Sequence, residues 1–262
     1  MDDVFTLYYL TDLHIGNALC DEKLLKEDVA CIADDPKAIW IGGGDYADFI
    51  NRADRRHRES SLAAWLYGKD DIAQEQIKYL ENLLSPILDK CLGLCRGNHE
   101  DDILSKSERD VYSAIVNMVA RPNRPVRLGY GGWVVLLWED GKKTRWHTTI
   151  FCHHGSGGGI LPGGDALTLG RLPTWYDFDI AILGHRHTKH WLPNTITGPT
   201  FTASKLQQRE QAMLFGGTYL GGIDLEGTDL ESYAEARLLP PRSVGGIKIQ
   251  FMPAQKTFKI VI

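Results

Sequence analysis

The sequence predicts an α/β domain with a largely parallel sheet, and two patterns support this prediction. Short apolar segments alternate with helical segments in the order strand, helix, strand, helix, strand, which implies parallel pairing through right-handed crossovers. Each apolar segment then stops at glycine or polar residues, as a buried strand does where it runs into a loop. In sheets of this kind, chemistry gathers beyond the carboxyl ends of the strands.

Three strands and two helices are predicted in the first part of the chain. Val4–Leu10 is short, β-branched and aromatic, which predicts a buried strand. Ala38–Ile41 and Cys91–Cys95 are shorter apolar runs of the same kind. Asp21–Ala33 is predicted as the first helix. Asp71–Leu88 spaces its apolar residues by three, four and seven positions, which predicts an amphipathic helix.

The rest of the chain adds one helix and a series of strands. The helix is predicted over Ser107–Val119. Beyond it, short apolar segments predict strands, and the pattern weakens toward the carboxyl terminus. The predicted strands are Val126–Leu128, Trp133–Trp138, Arg145–Phe151, Ile180–Leu183, a segment near Trp191, Ile247–Phe251 and Phe258–Ile262.

Length and composition predict a single domain over residues 1–262. With 262 residues and 43% hydrophobic content, the chain can bury one sizeable core. No repeat, biased run or linker divides it. Its net charge of −5 and pI near 6.0 give no general attraction to nucleic acid. The amino terminus is acidic, and no segment approaches the roughly 20 apolar residues that cross a bilayer, which predicts a cytoplasmic protein without a membrane partner.

Potential metal ligands follow five of the predicted strands. Imidazole together with carboxylate suits Mn, Fe, Zn, Ni or Co, and one carboxylate can bridge two cations through its two oxygens. A mixed set of Asp, His and Asn therefore predicts two adjacent divalent ions. Any one pair is weak evidence for a metal site by itself, since Asp-x-His and His-x-His arise by chance. The pairs are Asp12/His14, Asp45/Asp48, Asn98/His99, His153/His154 and His185/His187.

The order and spacing of these residues resemble those of the calcineurin-like metallophosphoesterase superfamily. The resemblance runs roughly from Val4 to His187, and the chain is similar to small phage and bacterial members that are grouped with DNA-repair-type nucleases. It implies a four-layer α/β/β/α sandwich, in which two facing mixed sheets are flanked by helices. The matching motifs are Asp12-x-His14, Gly44-Asp45-x-x-Asp48, Gly97-Asn98-His99-Glu100, His153 and Gly184-His185-x-His187.

The resemblance also implies a role for each of these residues. Asp45 would bridge the two ions, and His99 would contact the phosphate and help the leaving oxygen depart. Together with Asn98 they are the expected catalytic residues. One metal would be held by Asp12, His14 and His187, and the other by Asn98, His153 and His185.

Two of these assignments have alternatives. His153 is preferred to His154 because it is closer to the end of the apolar strand, and family members usually ligate through that first position. His154 is the second choice. Asp48 could accept a hydrogen bond that orients a ligand, but in the family pattern it more often shapes the loop, so it is left out of the metal set.

The expected function is the hydrolysis of phosphate esters with two divalent transition-metal ions, Mn²⁺ first and Fe, Zn, Ni or Co as alternatives. A hydroxide shared by the ions would attack phosphorus in line. Phosphodiesters are the expected substrates, and DNA or RNA is a hypothetical partner. A small-molecule phosphomonoesterase and a non-catalytic, metal-stabilised interaction module are the alternative functions.

Residues 51–71 form an insertion that directly follows one of the ligand-bearing loops. One interpretation is a lid, or an arginine cluster that grips the non-reacting part of a phosphate substrate, since guanidinium pairs with phosphate oxygens in a bidentate manner. The other interpretation is a solvated helix whose charges face water. The basic residues are Arg52, Arg55, Arg56, His57, Arg58 and Lys69.

Overall fold

Two β-sheets face each other in this protein, and helices cover the outer surface of each sheet. The computed structural model describes residues 3–120, 126–140, 143–157, 162–199, 205–223, 235 and 238–262. Three apolar clusters fill the spaces between the four layers. The predicted α/β fold, with two mixed sheets between helices, is therefore confirmed.

Five α-helices and eleven strands occur in the described part of the chain. None of the helices there is both long and apolar enough to cross a membrane. The helices are α1 (Glu22–Asp34), α2 (Ile72–Leu84), α3 (Asn98–Ser107), α4 (Val111–Val119) and α5 (Pro162–Arg171). The strands are β1 (Phe5–Leu10), β2 (Ala38–Gly42), β3 (Cys91–Cys95), β4 (Arg127–Gly129), β5 (Gly131–Asp140), β6 (Lys143–His153), β7 (Ile180–Leu183), β8 (Lys189–Pro199), β9 (Leu206–Thr218), β10 (Gly245–Met252) and β11 (Thr257–Val261).

Each sheet combines parallel and antiparallel pairs. In the first sheet β1, β2, β3 and β4 pair in parallel, and β10 pairs with β1 in the antiparallel direction, followed by β11. In the second sheet β6, β7 and β9 pair in parallel, and β5 and β8 add antiparallel pairs to β6 and β9. A short antiparallel contact between β9 and β10 links the two sheets.

Strand alternation explains why β1 reads as an uninterrupted apolar run. Leu7 and Tyr9 belong to the cluster between the two sheets. Tyr8 and Leu10 belong to the cluster on the opposite side, which the helices α1, α2 and α4 cover. Because both faces of the strand are buried, the usual alternation of apolar and polar residues is absent.

The structure corrects the bounds of two predicted helices. The prediction of one helix over Ser107–Val119 is wrong, because Glu108 ends α3 in a left-handed conformation with a φ of 54°. The Asp110 side chain then caps α4 by accepting a hydrogen bond from a backbone N–H of its first turn at 2.9 Å. The predicted helix Asp71–Leu88 ends at Leu84 and continues as a 3₁₀ turn. The sequence patterns do not predict α3, α5 or β9.

The insertion 51–71 contains two short 3₁₀ turns and no α-helix, so its interpretation as a solvated helix is wrong. Arg52 donates hydrogen bonds to the backbone carbonyls of Lys69 and Asp70, at 2.8 and 3.2 Å. These bonds hold the two ends of the insertion together. Inside it, Leu62 and Leu66 form a small apolar cluster with Ile72 of α2.

Ion pairs fasten the same insertion to α3. The Asp54 carboxylate lies 2.8 Å from the Arg56 guanidinium and 2.7 Å from the Lys106 ammonium. Arg56 also pairs with Asp102, which lies one helical turn after His99 on α3. Two cations and two carboxylates balance in this cluster. The role of the insertion as a lid or phosphate grip stays a prediction.

We expect the Trp40 side chain to contribute strongly to stability, because it is fully buried and donates a hydrogen bond to the Ile87 carbonyl at 2.7 Å. Trp40→Ala should lower the free energy of unfolding by about 3–5 kcal/mol. Urea unfolding followed by circular dichroism measures this loss. Trp175→Ala is the matched control, since Trp175 is 65% exposed and its removal should change stability by less than about 0.5 kcal/mol. Equal losses in the two variants would contradict the packing of β2.

Candidate metal centre

The loops that carry the predicted ligands meet at one edge of the molecule, because hydrogen bonds connect them directly. The backbone N–H of Asp12 donates to the Gly44 carbonyl at 3.0 Å, and that of His14 donates to the Asp45 carbonyl at 3.1 Å. The backbone N–H of His185 donates to both Asp12 carboxylate oxygens, at 3.1 and 2.9 Å. The loops after β1, β2 and β7 are thus joined without relying on any ligand.

Five of the predicted ligands have a left-handed backbone conformation. Such a positive φ is rare for residues other than glycine and costs roughly 1–2 kcal/mol for each residue. Strain of this kind gathers at functional sites, where the surrounding structure holds it in place. The five residues are Asp12 (φ 51°), His14 (φ 49°), Asp45 (φ 52°), His185 (φ 69°) and His187 (φ 52°).

The structure brings Asp12, His14 and His187 into one group, whose ligand atoms all lie within 4.8 Å of one another. His187 Nε2 lies 3.1 Å from Asp12 Oδ1 and 3.2 Å from His14 Nε2. The Asp48 carboxylate lies 3.1 Å from His14 Nδ1 and accepts its proton in a hydrogen bond. His14 Nε2 therefore presents a lone pair to the group. This contact gives Asp48 the orienting role that sequence reasoning considered and set aside.

A second group contains Asp45, His154 and His185, and Asn98 lies among them. Asn98 Oδ1 is 3.0 Å from His154 Nε2 and 2.8 Å from His185 Nδ1. Asn98 is the first residue of α3, so its side chain is fixed by the start of that helix. Asn98 and His185 belong to the predicted second ligand set, and Asp45 is the predicted bridge. His154 stands where His153 was predicted.

Asp45 lies between the two groups. Its Oδ2 is 3.3 Å from His154 Nε2 and 4.0 Å from His14 Nε2, while its Oδ1 accepts a hydrogen bond from the His99 backbone N–H at 2.9 Å. Burial raises the pKa of this carboxyl, but His154 and His99 lower it more, and the net pKa lies well below its usual range. A backbone donor thus fixes one oxygen, and the other oxygen faces both groups.

The donor set fits a divalent cation, and His154 shows this most clearly. Its Nδ1 donates to the Gly43 carbonyl at 2.8 Å, so neutral His154 carries a lone pair on Nε2. That nitrogen faces Asn98 Oδ1 and Asp45 Oδ2, which are also acceptors. Burial lowers the pKa of His154, but the Asp45 carboxylate raises it by a larger amount, and the net pKa is about 10. Three converging acceptors require a positive charge, which a proton or a metal ion can supply.

His153 does not join either group in the structure, and His154 takes the predicted place. Alternation along β6 gives the physical reason: Phe151 and His153 face α5, with ring centroids 6.2 Å apart, whereas Cys152 faces the space between the sheets. His154 follows the strand end on the same side as Cys152. His153 Nδ1 instead accepts a hydrogen bond from the Gly155 N–H at 2.7 Å. The structure therefore groups His154, the second choice, with the other predicted ligands, and its role as the ligand in place of His153 is a proposal.

His99 lies beside both groups and forms a further group with His14 and Asp45 that could hold a metal ion. Its ring centroid is 4.7 Å from that of His14, and one of its nitrogens is within 4.8 Å of the ligand atoms of His14 and Asp45. His99 Nδ1 bonds to the Asp48 backbone carbonyl, which orients the ring. Burial lowers the pKa of His99, but the carboxylates of Asp45 and Asp48 raise it more, so the net pKa is raised. Cations in the two groups would oppose this rise.

The sequence analysis gives Glu100 no role beyond its place in the motif, and the structure shows one. The fully buried Glu100 carboxylate accepts hydrogen bonds from the backbone N–H groups of Asp45 (3.0 Å), Tyr46 (2.9 Å) and Gly97 (2.7 Å). Burial, reinforced by Asp45, raises the pKa of Glu100 to about 7. Glu100 therefore joins the loops after β2 and β3. Its place in Gly97-Asn98-His99-Glu100 was the available signal.

Two glycines let these loops approach each other. Gly44 has a φ of 95°, and a side chain on it would lie 2.7 Å from the Gly97 nitrogen and from His154 Nδ1. A side chain on Gly97 would lie 2.2 Å from Asp45 Oδ1. The close contact of the loops therefore requires glycine before Asp45 and before Asn98.

No protein-family model matches the sequence, and no curated protein matches it. Solved structures that the chain resembles include Vps29 from Chaetomium thermophilum, a metallophosphoesterase from Sphaerobacter thermophilus and the calcineurin-like phosphoesterase YfkN from Bacillus subtilis.

These three structures are 11%, 12% and 12% identical to the chain, with TM-scores of 0.41, 0.39 and 0.36. The matches cover 94%, 98% and 98% of this chain and 78%, 89% and 88% of the other chains. Two of the three are named as phosphoesterases. Likenesses this distant do not bear on the chemistry, which rests on the residues described above.

The two neighbouring histidines can be separated by metal content. His154→Ala should reduce the bound Mn²⁺ from two ions per chain to about one, since it removes a ligand of the second group. His153→Ala is the matched control and should keep both ions. Elemental analysis after gel filtration in Mn²⁺ measures the difference. A loss of metal in His153→Ala, with full metal in His154→Ala, would reverse the assignment.

The role of Glu100 can be tested in metal-free protein. Glu100→Ala leaves three buried N–H groups without their acceptor, and each such group costs about 1–3 kcal/mol, so the free energy of unfolding should fall by about 3 kcal/mol or more. Glu81→Ala, on the exposed face of α2, is the control with an expected change below about 0.5 kcal/mol. Urea unfolding in EDTA gives both values. A small loss in Glu100→Ala would contradict the joining of the two loops.

Proposed function

We propose that this chain is a single-domain member of the calcineurin-like metallophosphoesterase superfamily and hydrolyses phosphate esters with two divalent metal ions. The observation that carries the proposal is the position of Asp45 Oδ2, which lies 4.0 Å from His14 of the first group and 3.3 Å from His154 of the second. The groups lie at the carboxyl ends of β1, β2, β3, β6 and β7, where the chemistry of such sheets is expected. Every position of the predicted ligand series is filled, with His154 in place of His153.

The proposed first ion is held by Asp12, His14 and His187, and the second by Asn98, His154 and His185, with Asp45 shared between them. Two divalent ions would supply Lewis acidity, which lowers the pKa of a water and offsets the charge of phosphoryl oxygens. Nitrogen and oxygen donors of this kind suit Mn²⁺, which we propose first, and Fe, Zn, Ni or Co as alternatives.

The residues of the chain perform the remaining tasks. Asp48 and the Gly43 carbonyl hold the rings of His14 and His154 so that each presents Nε2 to its group. The His99 ring is held through Nδ1 by the Asp48 carbonyl, which leaves Nε2 to exchange a proton. We propose that His99 contacts the phosphate and gives this proton to the leaving oxygen.

Phosphodiesters are the proposed substrates. A diester carries one negative charge at neutral pH, and a monoester carries up to two, so a monoester needs more cationic partners. Near His99, the charges of Arg56 and Lys106 are matched by Asp54 and Asp102. This balance favours the less charged ester. A small-molecule phosphomonoesterase is the alternative within the same chemistry.

An interaction role is a second candidate, supported by an exposed apolar face on β5. Trp133, Val135 and Leu137 point to the same side of this strand and are about half exposed or more. A contiguous apolar face of this kind is typical of contact surfaces. The complete ligand set favours catalysis over a purely structural module, because a module has no need of His99 or of a shared carboxylate.

The catalytic proposal predicts turnover of bis-p-nitrophenyl phosphate by metal-stripped protein resupplied with Mn²⁺, and slower turnover of p-nitrophenyl phosphate. His99→Ala should lower kcat by about 10²–10⁴-fold while both ions remain bound, because it removes a proton donor. Asp45→Ala and Asn98→Ala should lose turnover together with metal. Absorbance of released nitrophenolate and elemental analysis give the two readouts.

His190→Ala serves as the matched histidine control, because His190 lies on β8 outside both groups, and it should keep full activity. Full activity in a folded Asp45→Ala or Asn98→Ala protein would rule out the mechanism. A higher rate with p-nitrophenyl phosphate than with the diester would support the phosphomonoesterase instead of the phosphodiesterase.

A further inference from the structure

Tyr130 is an exposed aromatic residue at the rim of the metal centre. It lies in the turn between β4 and β5, and 57% of its surface is exposed. Its backbone carbonyl accepts a hydrogen bond from the His154 N–H at 3.0 Å. The residue is therefore fixed to the backbone of a proposed ligand, and none of the steps described above uses its side chain.

The Tyr130 ring is held on one side by Arg96. The Arg96 guanidinium lies between two rings, 5.7 Å from the centroid of Tyr130 and 5.8 Å from that of Tyr112. Arg96 also forms an ion pair with Asp101. One face of the ring is thus covered by a cation that Asp101 holds in place. The exposed fraction of the residue leaves the other face open.

The same contacts place Tyr130 beside the second ligand group. Arg96, which covers its ring, immediately precedes Gly97 and Asn98, and the Arg96 backbone N–H donates to the Gly129 carbonyl at 2.7 Å. The backbone carbonyl of Tyr130 bonds to the N–H of His154. Tyr130 is therefore held between the segments that carry Asn98 and His154.

We propose that Tyr130, backed by Arg96, is a subsite that stacks against a flat aromatic heterocycle of the substrate, such as a nucleobase attached to the reacting phosphate. This proposal rests on the proposed function, because the proposed function places the phosphate ester next to the two ligand groups. Nucleobases stack on aromatic rings through their π faces and do so whatever their sequence. A residue that is already held at its backbone carbonyl and at one face of its ring loses little freedom when it binds.

A purely structural role for Tyr130 makes a different prediction. If the ring only shields Arg96, its loss should affect stability and leave the preference among ligands unchanged. If the ring stacks on the substrate, its loss should weaken the binding of a ligand that has a base and leave a ligand without a base unaffected. Tyr130→Phe keeps the ring and removes its hydroxyl. Tyr130→Leu keeps an apolar side chain and removes the π face.

The experiment compares adenosine 5′-monophosphate with ribose 5-phosphate, each titrated into Mn²⁺-loaded protein by isothermal calorimetry. The wild-type protein should bind the nucleotide about tenfold more tightly than the sugar phosphate, a usual size for one stacked base. Tyr130→Phe should keep most of this ratio. Tyr130→Leu should bring it close to one by weakening only the nucleotide. Trp133→Leu is the matched control, since Trp133 is an exposed aromatic residue on the outer face of β5, and it should keep the wild-type ratio.

Each outcome of this titration decides the proposal. A nucleotide preference that is lost in Tyr130→Leu and kept in Trp133→Leu supports the subsite, even if the protein hydrolyses no ester and the proposed catalysis fails. An unchanged ratio in Tyr130→Leu, or equal affinities in the wild-type protein, overturns the subsite, and Mn²⁺-dependent ester hydrolysis would still stand. Failure of both ligands to bind overturns the subsite as well.

Discussion

The arrangement of the metal centre depends on an excess of hydrogen-bond acceptors around Asp45. Imidazole nitrogens from His14 and His154 face carboxylate and amide oxygens, while their other nitrogens are committed to Asp48 and to the Gly43 carbonyl. Acceptors that face each other in a buried space repel one another unless a positive charge lies between them. The raised pKa of His154 has the same cause, because a bound proton supplies a positive charge between the acceptors. The geometry of the loops therefore favours the binding of cations.

Holding so many like groups together requires a rigid frame, and the backbone supplies it. The loops after β1, β2 and β7 are joined by hydrogen bonds, and Glu100 joins the loops after β2 and β3 through three backbone N–H groups. The left-handed conformations of the proposed ligands are strained, and the buried sheets behind them provide the stability that offsets this strain. Short loops on two facing sheets can in this way hold the side chains of distant segments within a few ångströms of one another.

Local signals explain which elements could be predicted from the sequence. β1, β2, β3 and β7 are buried apolar runs that end at glycine or polar residues, and this pattern depends on near neighbours in the chain. The helix α3 was not predicted because it begins with the polar residues of the ligand motif and has little apolar periodicity. β9 was not predicted because its first five residues are exposed and the rest are buried, so it shows neither alternation nor one continuous apolar run.

The sequence by itself determined which residue types could bind metal and placed them after successive strands, because buried strands and their ends are encoded locally. Only the tertiary structure shows that His154, and not His153, lies beside Asn98 and His185, since this depends on which face of β6 meets the other sheet at its last residue. It also shows that Asp48 bonds to His14, that Asp45 lies between the two groups, and that Glu100 joins two loops. These roles are set by distances between segments far apart in the chain, and such distances arise only when the two sheets pack against each other.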